Sequence, residues 1–155
     1  MIEAVIFSIW FFIPAGIGNV SPIIIKKIPG LSKLDAPLDG GATWHGKPLF
    51  GKNKTWRGMI GGAILGMLAM LLQIYLYQHY AWAQTAAGPV DYNLWYMPIL
   101  GLALAAGALL GDAFESMFKR QKGIPSGQKW VPFDQLDYIA GALLLSLPFV
   151  RLEIG

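Results

Sequence analysis

Residues 59–77 read MIGGAILGMLAMLLQIYLY, and Gln73 is the one strongly polar side chain among them. An apolar run of about 17–25 residues is long enough to cross the hydrocarbon core of a bilayer as a helix. The run therefore predicts a transmembrane helix, and it decides the fold class of the chain.

Three other apolar runs flank this helix: residues 4–17 (extendable to 20), residues 94–110 and residues 138–150. The last run reaches spanning length only if it begins near Val131. Of the 155 residues, 55% are hydrophobic and 14% charged, whereas soluble domains have about 25% charged residues. We expect an all-α integral membrane protein with four spans, folded as a single domain over residues 1–155.

Cysteine is absent from the chain, which excludes disulfides, thiolate metal sites and a cysteine nucleophile. Two pairs of glycines four residues apart, Gly62/Gly66 and Gly107/Gly111, favour close packing between helices. The general frequency of glycine in spanning helices is an equally good explanation of both pairs.

Positive charge is concentrated in two loops, residues 21–58 and residues 119–133, which hold eleven of the twelve Lys and Arg residues. The loop of residues 78–93 has no Lys or Arg and is rich in aromatic residues. By the positive-inside rule, both basic loops face the cytoplasm and both termini lie outside. We therefore expect a multi-pass protein of the cell membrane whose functional side is cytoplasmic.

Carboxylates gather at the cytoplasmic ends of the last two predicted spans. Four polar residues at spacings i, i+3, i+4 and i+7 share one helical face: Asp112, Glu115, Ser116 and Lys119. Asp134 and Asp137 share a face on the next helix. Carboxylates near hydrocarbon are costly and mark functional sites.

An acidic cluster at low dielectric repels itself and takes up protons unless a cation is present. Mg²⁺ prefers carboxylates together with waters and phosphate oxygens. Because Lys119 and Arg120 lie beside the acids, the cluster predicts a site for Mg²⁺ and a polyphosphate. The alternative is an interfacial salt-bridge network, in which Asp112 pairs with Lys119 and Asp134 caps the following helix.

A second polar segment, GKNKTWRG at residues 51–58, directly precedes the helix of residues 59–77. It places three cations, an amide and a hydroxyl before a helix start, where backbone N–H groups also attract phosphate. Trp56 has two open roles, stacking on a base or anchoring the interface. The positive-inside rule explains the charge of this segment but not its density of hydrogen-bonding groups.

Three of these segments together resemble the signature of a known family: Gly111-Asp112 with Ser116-Met117-Phe118-Lys119-Arg120, then Asp134-Gln135-Leu136-Asp137, and upstream Lys52-Asn53-Lys54-Thr55-Trp56-Arg57-Gly58. The pattern is similar to that of the CDP-diglyceride synthetase superfamily, in its short archaeal-type branch. The match covers about residues 46–147. The Lys-Asp and His-Gly-Gly elements of the bacterial enzymes are missing, which favours the archaeal-type branch.

The resemblance implies transfer of a cytidylyl group from CTP to a lipid phosphate, with release of pyrophosphate. For the archaeal-type branch the acceptor is an unsaturated geranylgeranyl diether glycerol phosphate. Members of the family often carry a fifth span, so the resemblance implies four or five transmembrane helices. The expected partners are CTP, the lipid phosphate and bilayer lipids, with a homodimer as an open option and no nucleic acid.

We assign roles on this basis. The Mg²⁺ ligands are Asp112, Asp134 and Asp137, with the role of Glu115 left open. Lys119 and Arg120 complete the catalytic set, holding the lipid phosphate or the leaving pyrophosphate. The CTP-binding residues are Lys52, Asn53, Lys54, Thr55, Arg57 and Ser116.

Two other functions fit parts of the sequence. A small membrane lipid kinase would use the same Mg²⁺ and basic loops with ATP, and would release ADP. A cation transporter would use the Asp cluster as its ion site, but it has little need for the cations of residues 52–57.

Overall fold

The structure is a computed structural model, and it describes residues 1–28, 30–125 and 128–149, apart from the side chain of Ser32. Helices carry the described fold: α1 is Ile2–Ile25, α2 is Trp56–His79, α3 is Ala81–Ala87, α4 is Met97–Gln121 and α5 is Phe133–Ser146. The loop between α1 and α2 contains a 3₁₀ turn, Ser32–Leu34, and a small antiparallel hairpin made of β1, Thr43–Trp44, and β2, Lys47–Pro48.

Helices lie at all four predicted apolar runs. Among the described residues, α1, α2 and α4 are long and apolar enough to cross a membrane. The fourth, α5, has 14 residues, fewer than the 17 or so that a span needs. The predicted count of four or five spans is therefore not confirmed. Residue 150, the end of the fourth predicted run, lies outside the described residues.

Glycines let α1, α2 and α4 approach to backbone contact. A methyl group on Gly62 would lie 2.7 Å from the carbonyl oxygen of Gly18 and 2.8 Å from Leu109 Cδ1. A methyl group on Gly66 would lie 2.9 Å from the carbonyl oxygen of Pro14. Such short approaches need residues without a side chain, so the close packing predicted for this glycine pair is present.

A proline and a glutamine are linked inside the bundle. Pro14 lies within α1 and has no N–H, so the carbonyl of Trp10, four residues earlier, loses its helical donor. Gln73 Nε2 of α2 donates a hydrogen bond of 2.7 Å to that carbonyl, in a buried position. The one strongly polar side chain of residues 59–77 thus satisfies a backbone group that proline leaves without a partner.

The apolar core lies toward the α3 end of the bundle, where Trp10, Met70, Tyr92, Met97 and Leu100 are buried together. At the other end α4 runs past this core and carries polar residues. The core therefore holds the helices together at the α3 end. At the opposite end, the polar residues of α4 contact loops instead of the apolar core.

Helix α5 packs against α4 through a second set of glycines. A methyl group on Gly107 would lie 2.8 Å from the carbonyl carbon of Gly141, and one on Gly111 would lie 2.8 Å from that of Asp137. The contact holds the first turns of α5 against the polar end of α4. This packing decides where the carboxylate of Asp137 lies.

The loop between α1 and α2 is tied to both neighbouring helices. Trp56 N–H donates to the Ala36 carbonyl at 3.1 Å, and Leu38 N–H donates to the Lys54 carbonyl at 2.8 Å. Lys47 Nζ of the hairpin donates to the carbonyl of Gln121, at the end of α4, at 2.6 Å. These bonds place the basic segment beside the polar end of α4.

Candidate metal and phosphate site

The polar face predicted on the third span is present on α4. Glu115, Ser116 and Lys119 are buried, and Asp112 is half-buried. They face the loop that precedes α2, since the two elements line a common cavity. A buried run of charged residues requires partners within the fold, and the neighbouring elements supply them.

The ion pairs differ from those of the salt-bridge alternative. Asp112 pairs with Lys54, not with Lys119. Lys119 Nζ lies 3.1 Å from Glu115 Oε1 and also pairs with Asp134. The Lys54–Asp112 pair joins the basic segment to α4, and the Lys119–Asp134 pair joins α5 to α4. The Lys119–Glu115 pair lies within α4.

Asp134 does not cap α5 as that alternative expected. The N-cap residue is Pro132, without a side-chain cap bond. The second oxygen of Asp134 accepts a hydrogen bond from the Trp130 N–H at 2.5 Å. Its carboxylate is therefore shared between Lys119 and the loop before α5.

Three carboxylates meet beside these pairs. Asp112, Glu115 and Asp137 each offer an oxygen, and the three atoms lie within 4.8 Å of one another. The structure thus brings together two of the predicted metal ligands, Asp112 and Asp137, and adds Glu115, whose role the sequence left open. The third predicted ligand, Asp134, is not part of this cluster and forms an ion pair with Lys119.

The donor set fits a hard divalent cation. Only oxygens are offered, as Mg²⁺ and Ca²⁺ prefer, and a cation would remove the repulsion between three neighbouring carboxylates. Lys54 already offsets part of that charge through Asp112. The three carboxylates therefore form a candidate site for a divalent cation.

A polar cavity of about 560 Å³ lies between the α1–α2 loop and the end of α4. Among the predicted site residues, it is lined by Lys52, Asn53, Lys54, Asp112, Ser116, Lys119 and Arg120, together with Glu115. Cations from the α1–α2 loop and from the last turn of α4, and acids from α4, thus face one space. Such a space suits a polyphosphate with its counter-ion.

Two predicted CTP-binding residues, Thr55 and Arg57, lie outside this cavity. Thr55 is the N-cap of α2, and its hydroxyl accepts from the Gly58 N–H at 3.2 Å. Arg57 is buried, and its guanidinium lies 2.7 Å from Asp35 Oδ1. Both line a neighbouring cavity of about 360 Å³ with Lys52 and Asn53. Their role in nucleotide binding stays a prediction.

Arg120 is tied to the loop that follows α4. Its Nη1 donates to the Ile124 carbonyl at 2.6 Å, and the side chain is half-buried at the edge of the polar cavity. One end of the guanidinium therefore fixes the loop. A guanidinium has five N–H donors, so the remaining ones can serve an anion.

Asp39 also lines the polar cavity and was not among the predicted site residues. Its carboxylate accepts hydrogen bonds from the N–H groups of Gly41 at 2.9 Å, Phe50 at 2.7 Å and Gly51 at 3.1 Å. Burial would raise the pKa of Asp39, but these three bonds outweigh it and hold the pKa below its usual value. The Asp-Gly-Gly turn at residues 39–41 is the signal that would have revealed it.

A family model and several curated relatives match this chain. A family model described as "CarS-like: CDP-archaeol synthase" matches residues 1–155. The CDP-archaeol synthase of Thermococcus kodakarensis is 31% identical over 156 residues, covering 99% of this chain and 81% of the relative. That of Pyrococcus furiosus is 32% identical over 155 residues, covering 96% and 78%. That of Methanocorpusculum labreanum is 40% identical over 114 residues, covering 70% and 58%.

One solved structure is also similar. It is described as an intramembrane enzyme for archaeal membrane lipid biosynthesis, and it superposes with a TM-score of 0.68 at 31% identity. The match covers 91% of this chain and 76% of the solved one. The predicted class, an all-α integral membrane protein, is thereby confirmed.

Proposed function

Because this chain belongs to the CDP-archaeol synthase family, we propose that it transfers a cytidylyl group from CTP to an archaeal diether glycerol phosphate in the membrane. The observation that carries the proposal is a cluster of three carboxylates, two of which line one polar cavity together with cations of the α1–α2 loop and of α4. A nucleotide triphosphate and a lipid phosphate both need such a surface. A lipid kinase or a cation transporter finds no support among the relatives.

The reaction is an in-line displacement at phosphorus. An oxygen of the lipid phosphate forms a bond to the α-phosphorus of CTP. The bond from that phosphorus to the oxygen bridging to the β-phosphate breaks, and pyrophosphate leaves with the electron pair. The nucleophile is already an oxyanion, so no general base is required. Positioning and charge neutralisation are then the main tasks of the site.

The basic segment would hold the triphosphate. Lys52 and Lys54 both line the polar cavity, and Asn53 adds an amide between them. Lys54 is paired with Asp112, so a bound phosphate would share or take over this ammonium group. Ser116, buried on α4, would orient a phosphate oxygen with its hydroxyl.

The acids of α4 and α5 would hold Mg²⁺. We expect Asp112 and Asp137 as two of its ligands, supported by the proximity of their carboxylates, with Glu115 or Asp134 completing the set. When bound, the ion would neutralise charge on the phosphates and stabilise the developing charge of the leaving group. Lys119 and Arg120, at the edge of the same cavity, would hold the lipid phosphate or the departing pyrophosphate.

The orientation in the membrane follows from charge. Both basic loops lie on the side of the bundle that carries the site, and they contain eleven of the twelve Lys and Arg residues. The positive-inside rule therefore supports a cytoplasmic active site, where CTP is available. The whole chain, residues 1–155, would act as a single catalytic domain.

A pyrophosphate-release assay in detergent tests the proposal. The wild type is given CTP or ATP, with archaeal diether or diacyl glycerol phosphate as acceptor. We expect pyrophosphate from CTP, Mg²⁺ dependence and preference for the diether. Formation of ADP from ATP, with no product from CTP, would refute it in favour of a lipid kinase.

Matched variants connect the assay to the site. Asp137→Asn should remove the activity, because it takes a charged ligand from the cluster. Asp91→Asn makes the same chemical change in the α3–α4 loop, where Asp91 is exposed, and should leave turnover unchanged. Equal activity of both variants would contradict the assignment of the cluster.

A further inference from the structure

The segment that follows α1, residues 26–34, reads KKIPGLSKL and is both basic and apolar. It contains three lysines and no acidic residue. Lys26, Lys27 and Lys33 are all exposed, and none of them forms an ion pair with another described residue. The positive charge of the segment is therefore not neutralised within the described part of the chain.

Large apolar side chains lie between these lysines and are exposed as well. Ile28 is 47% exposed, Leu31 37% and Leu34 39%. The Leu34 N–H donates to the Leu31 carbonyl at 3.0 Å, and residues three apart in a 3₁₀ turn lie one above the other. Exposed apolar side chains combined with lysines are typical of segments that lie at the surface of a membrane.

The segment begins where a spanning helix ends. Helix α1 is long and apolar enough to cross a membrane and ends at Ile25. Ile23 and Ile24 in its last turn are exposed. The Lys27 N–H donates to the Ile24 carbonyl at 3.0 Å, so the first two lysines follow the span directly. Residues 26–34 therefore start at the boundary between hydrocarbon and water.

An anionic lipid surface suits both kinds of side chain. The positive-inside rule explains lysines next to a span, but it does not explain the exposed apolar side chains among them. A negatively charged lipid surface attracts each nearby lysine, which strengthens binding about fivefold per residue. Apolar side chains gain free energy when they leave water for the lipid boundary. Water, in contrast, suits only the lysines.

We propose that residues 26–34 form a docking surface for anionic lipid headgroups, on the side of the membrane that carries the carboxylate cluster. The lysines bind headgroup phosphates, and Ile28, Leu31 and Leu34 enter the boundary region of the bilayer. This surface is separate from the reaction, since it needs neither the nucleotide nor the lipid acceptor.

The docking surface is linked to the basic segment of residues 51–58. Asp35 directly follows it and lies 2.7 Å from the Arg57 guanidinium. The next carbonyl, that of Ala36, accepts from the Trp56 N–H at 3.1 Å. Lipid bound to the docking surface therefore holds one side of the loop that supports the basic segment.

Spin labelling tests the proposal, because the chain has no cysteine and single labels can be attached through Leu31→Cys or Ile28→Cys. The whole protein is placed in nanodiscs of phosphatidylcholine, or of an equal mixture with phosphatidylglycerol. Collisions of the label with a neutral nickel chelate report its contact with water. We expect both labels to be shielded from nickel in the anionic nanodiscs, and less so in the neutral ones. High salt should remove the difference by screening.

A matched pair of lysine variants separates charge from apolar insertion. Lys33 lines none of the polar cavities described above, and Lys33→Gln should weaken surface binding about fivefold. The shielding of the label at Leu31→Cys should then be lost at a lower salt concentration. Lys129→Gln makes the same change at an exposed lysine outside the segment and should leave the salt dependence as in the parent.

Two results would overturn the proposal. Equal shielding in neutral and anionic nanodiscs, unchanged by Lys33→Gln, would mean that the segment inserts without binding anionic headgroups. Labels that nickel reaches freely in both nanodiscs would mean that the segment faces water and is open to another partner, such as a protein. Neither readout involves turnover, so a failure of the proposed cytidylyl transfer would leave both unaffected.

Discussion

Gly111→Ala is the most direct perturbation of the way the fold positions its acids. The glycine lies where α4 and α5 touch through their backbones. A methyl group added there would overlap the carbonyl oxygen of Asp137, 2.8 Å from its carbonyl carbon and 3.4 Å from Gly141 Cα. Both neighbours are backbone atoms, so the helices themselves must move.

The size of the movement follows from ordinary contact distances. Carbon atoms in contact prefer separations of about 3.5–4.0 Å, so α5 must move away from Gly111 by about 0.7–1.2 Å. The residue that moves first is Asp137, whose carboxylate belongs to the cluster with Asp112 and Glu115. A misplacement of about 1 Å costs an enzyme roughly 100-fold in rate. We therefore expect kcat to fall about 100-fold.

Stability should change much less than activity. Overpacking costs about 1–3 kcal/mol, while replacing a helical glycine by alanine returns about 0.5–1 kcal/mol. The net loss is about 0–2.5 kcal/mol, and the variant should still insert and unfold cooperatively. Pyrophosphate release from CTP measures the rate, and thermal unfolding in detergent measures the stability.

Gly16→Ala is the control, because it makes the same change inside α1 where an added methyl group meets no atom within 4 Å. It should keep full activity and unfold at the same or a higher temperature. Wild-type activity of Gly111→Ala would refute the reasoning. A loss of activity shared by both glycine variants would also refute it, since the effect would then not come from the α4–α5 contact.

Three further predictions concern single side chains. Asp137→Asn should lower Mn²⁺ affinity, measured by electron paramagnetic resonance, by about tenfold or more, because loss of even an outer-shell partner of a metal ligand costs about 10–100-fold in affinity; unchanged affinity would exclude Asp137 as a ligand. Lys54→Ala should raise the KM for CTP about tenfold or more through loss of a charge-assisted bond; a change in the KM for lipid alone would mean that the two phosphate sites are exchanged. Asp39→Ala should lower the unfolding temperature at pH 7, and the difference from wild type should shrink as the pH falls below about 4. The pKa of Asp39 is lower in the folded state than in the unfolded chain, so the ionised carboxylate stabilises the fold above the usual pKa. This stabilisation is lost as the carboxylate is protonated in acid. A difference in unfolding temperature that widens in acid would contradict this reasoning.

The helices were predictable because their signal is local. An apolar run of spanning length needs no knowledge of the rest of the chain, and α2 begins at Trp56, three residues before the predicted run of residues 59–77. The glycine pairs were ambiguous in sequence, because only the neighbouring helix shows whether a glycine is in contact. Gly66 and Gly107 meet backbone atoms of other helices, which no pattern within one helix reveals.

The sequence predicted which residues share the polar face of α4. It did not predict which of their charged groups form ion pairs with each other. The spacing of Asp112, Glu115 and Lys119 fixes their common side of α4, and the structure agrees. Which cation pairs with which acid depends on the path of a loop more than fifty residues away in sequence, so the Lys54–Asp112 pair was beyond reach. The position of Asp134 on Lys119 likewise depends on how α5 turns against α4.

The hydrogen bond from Gln73 to the carbonyl that Pro14 leaves without a donor makes the two positions epistatic. With Pro14 present, Gln73→Leu strands a buried carbonyl, at a cost of about 1–3 kcal/mol. After Pro14→Ala, the new backbone N–H can satisfy the same carbonyl of Trp10, and the leucine becomes tolerable. The order in which the two substitutions arise therefore matters, and a lineage loses the polar residue of this span most easily after it has lost the proline.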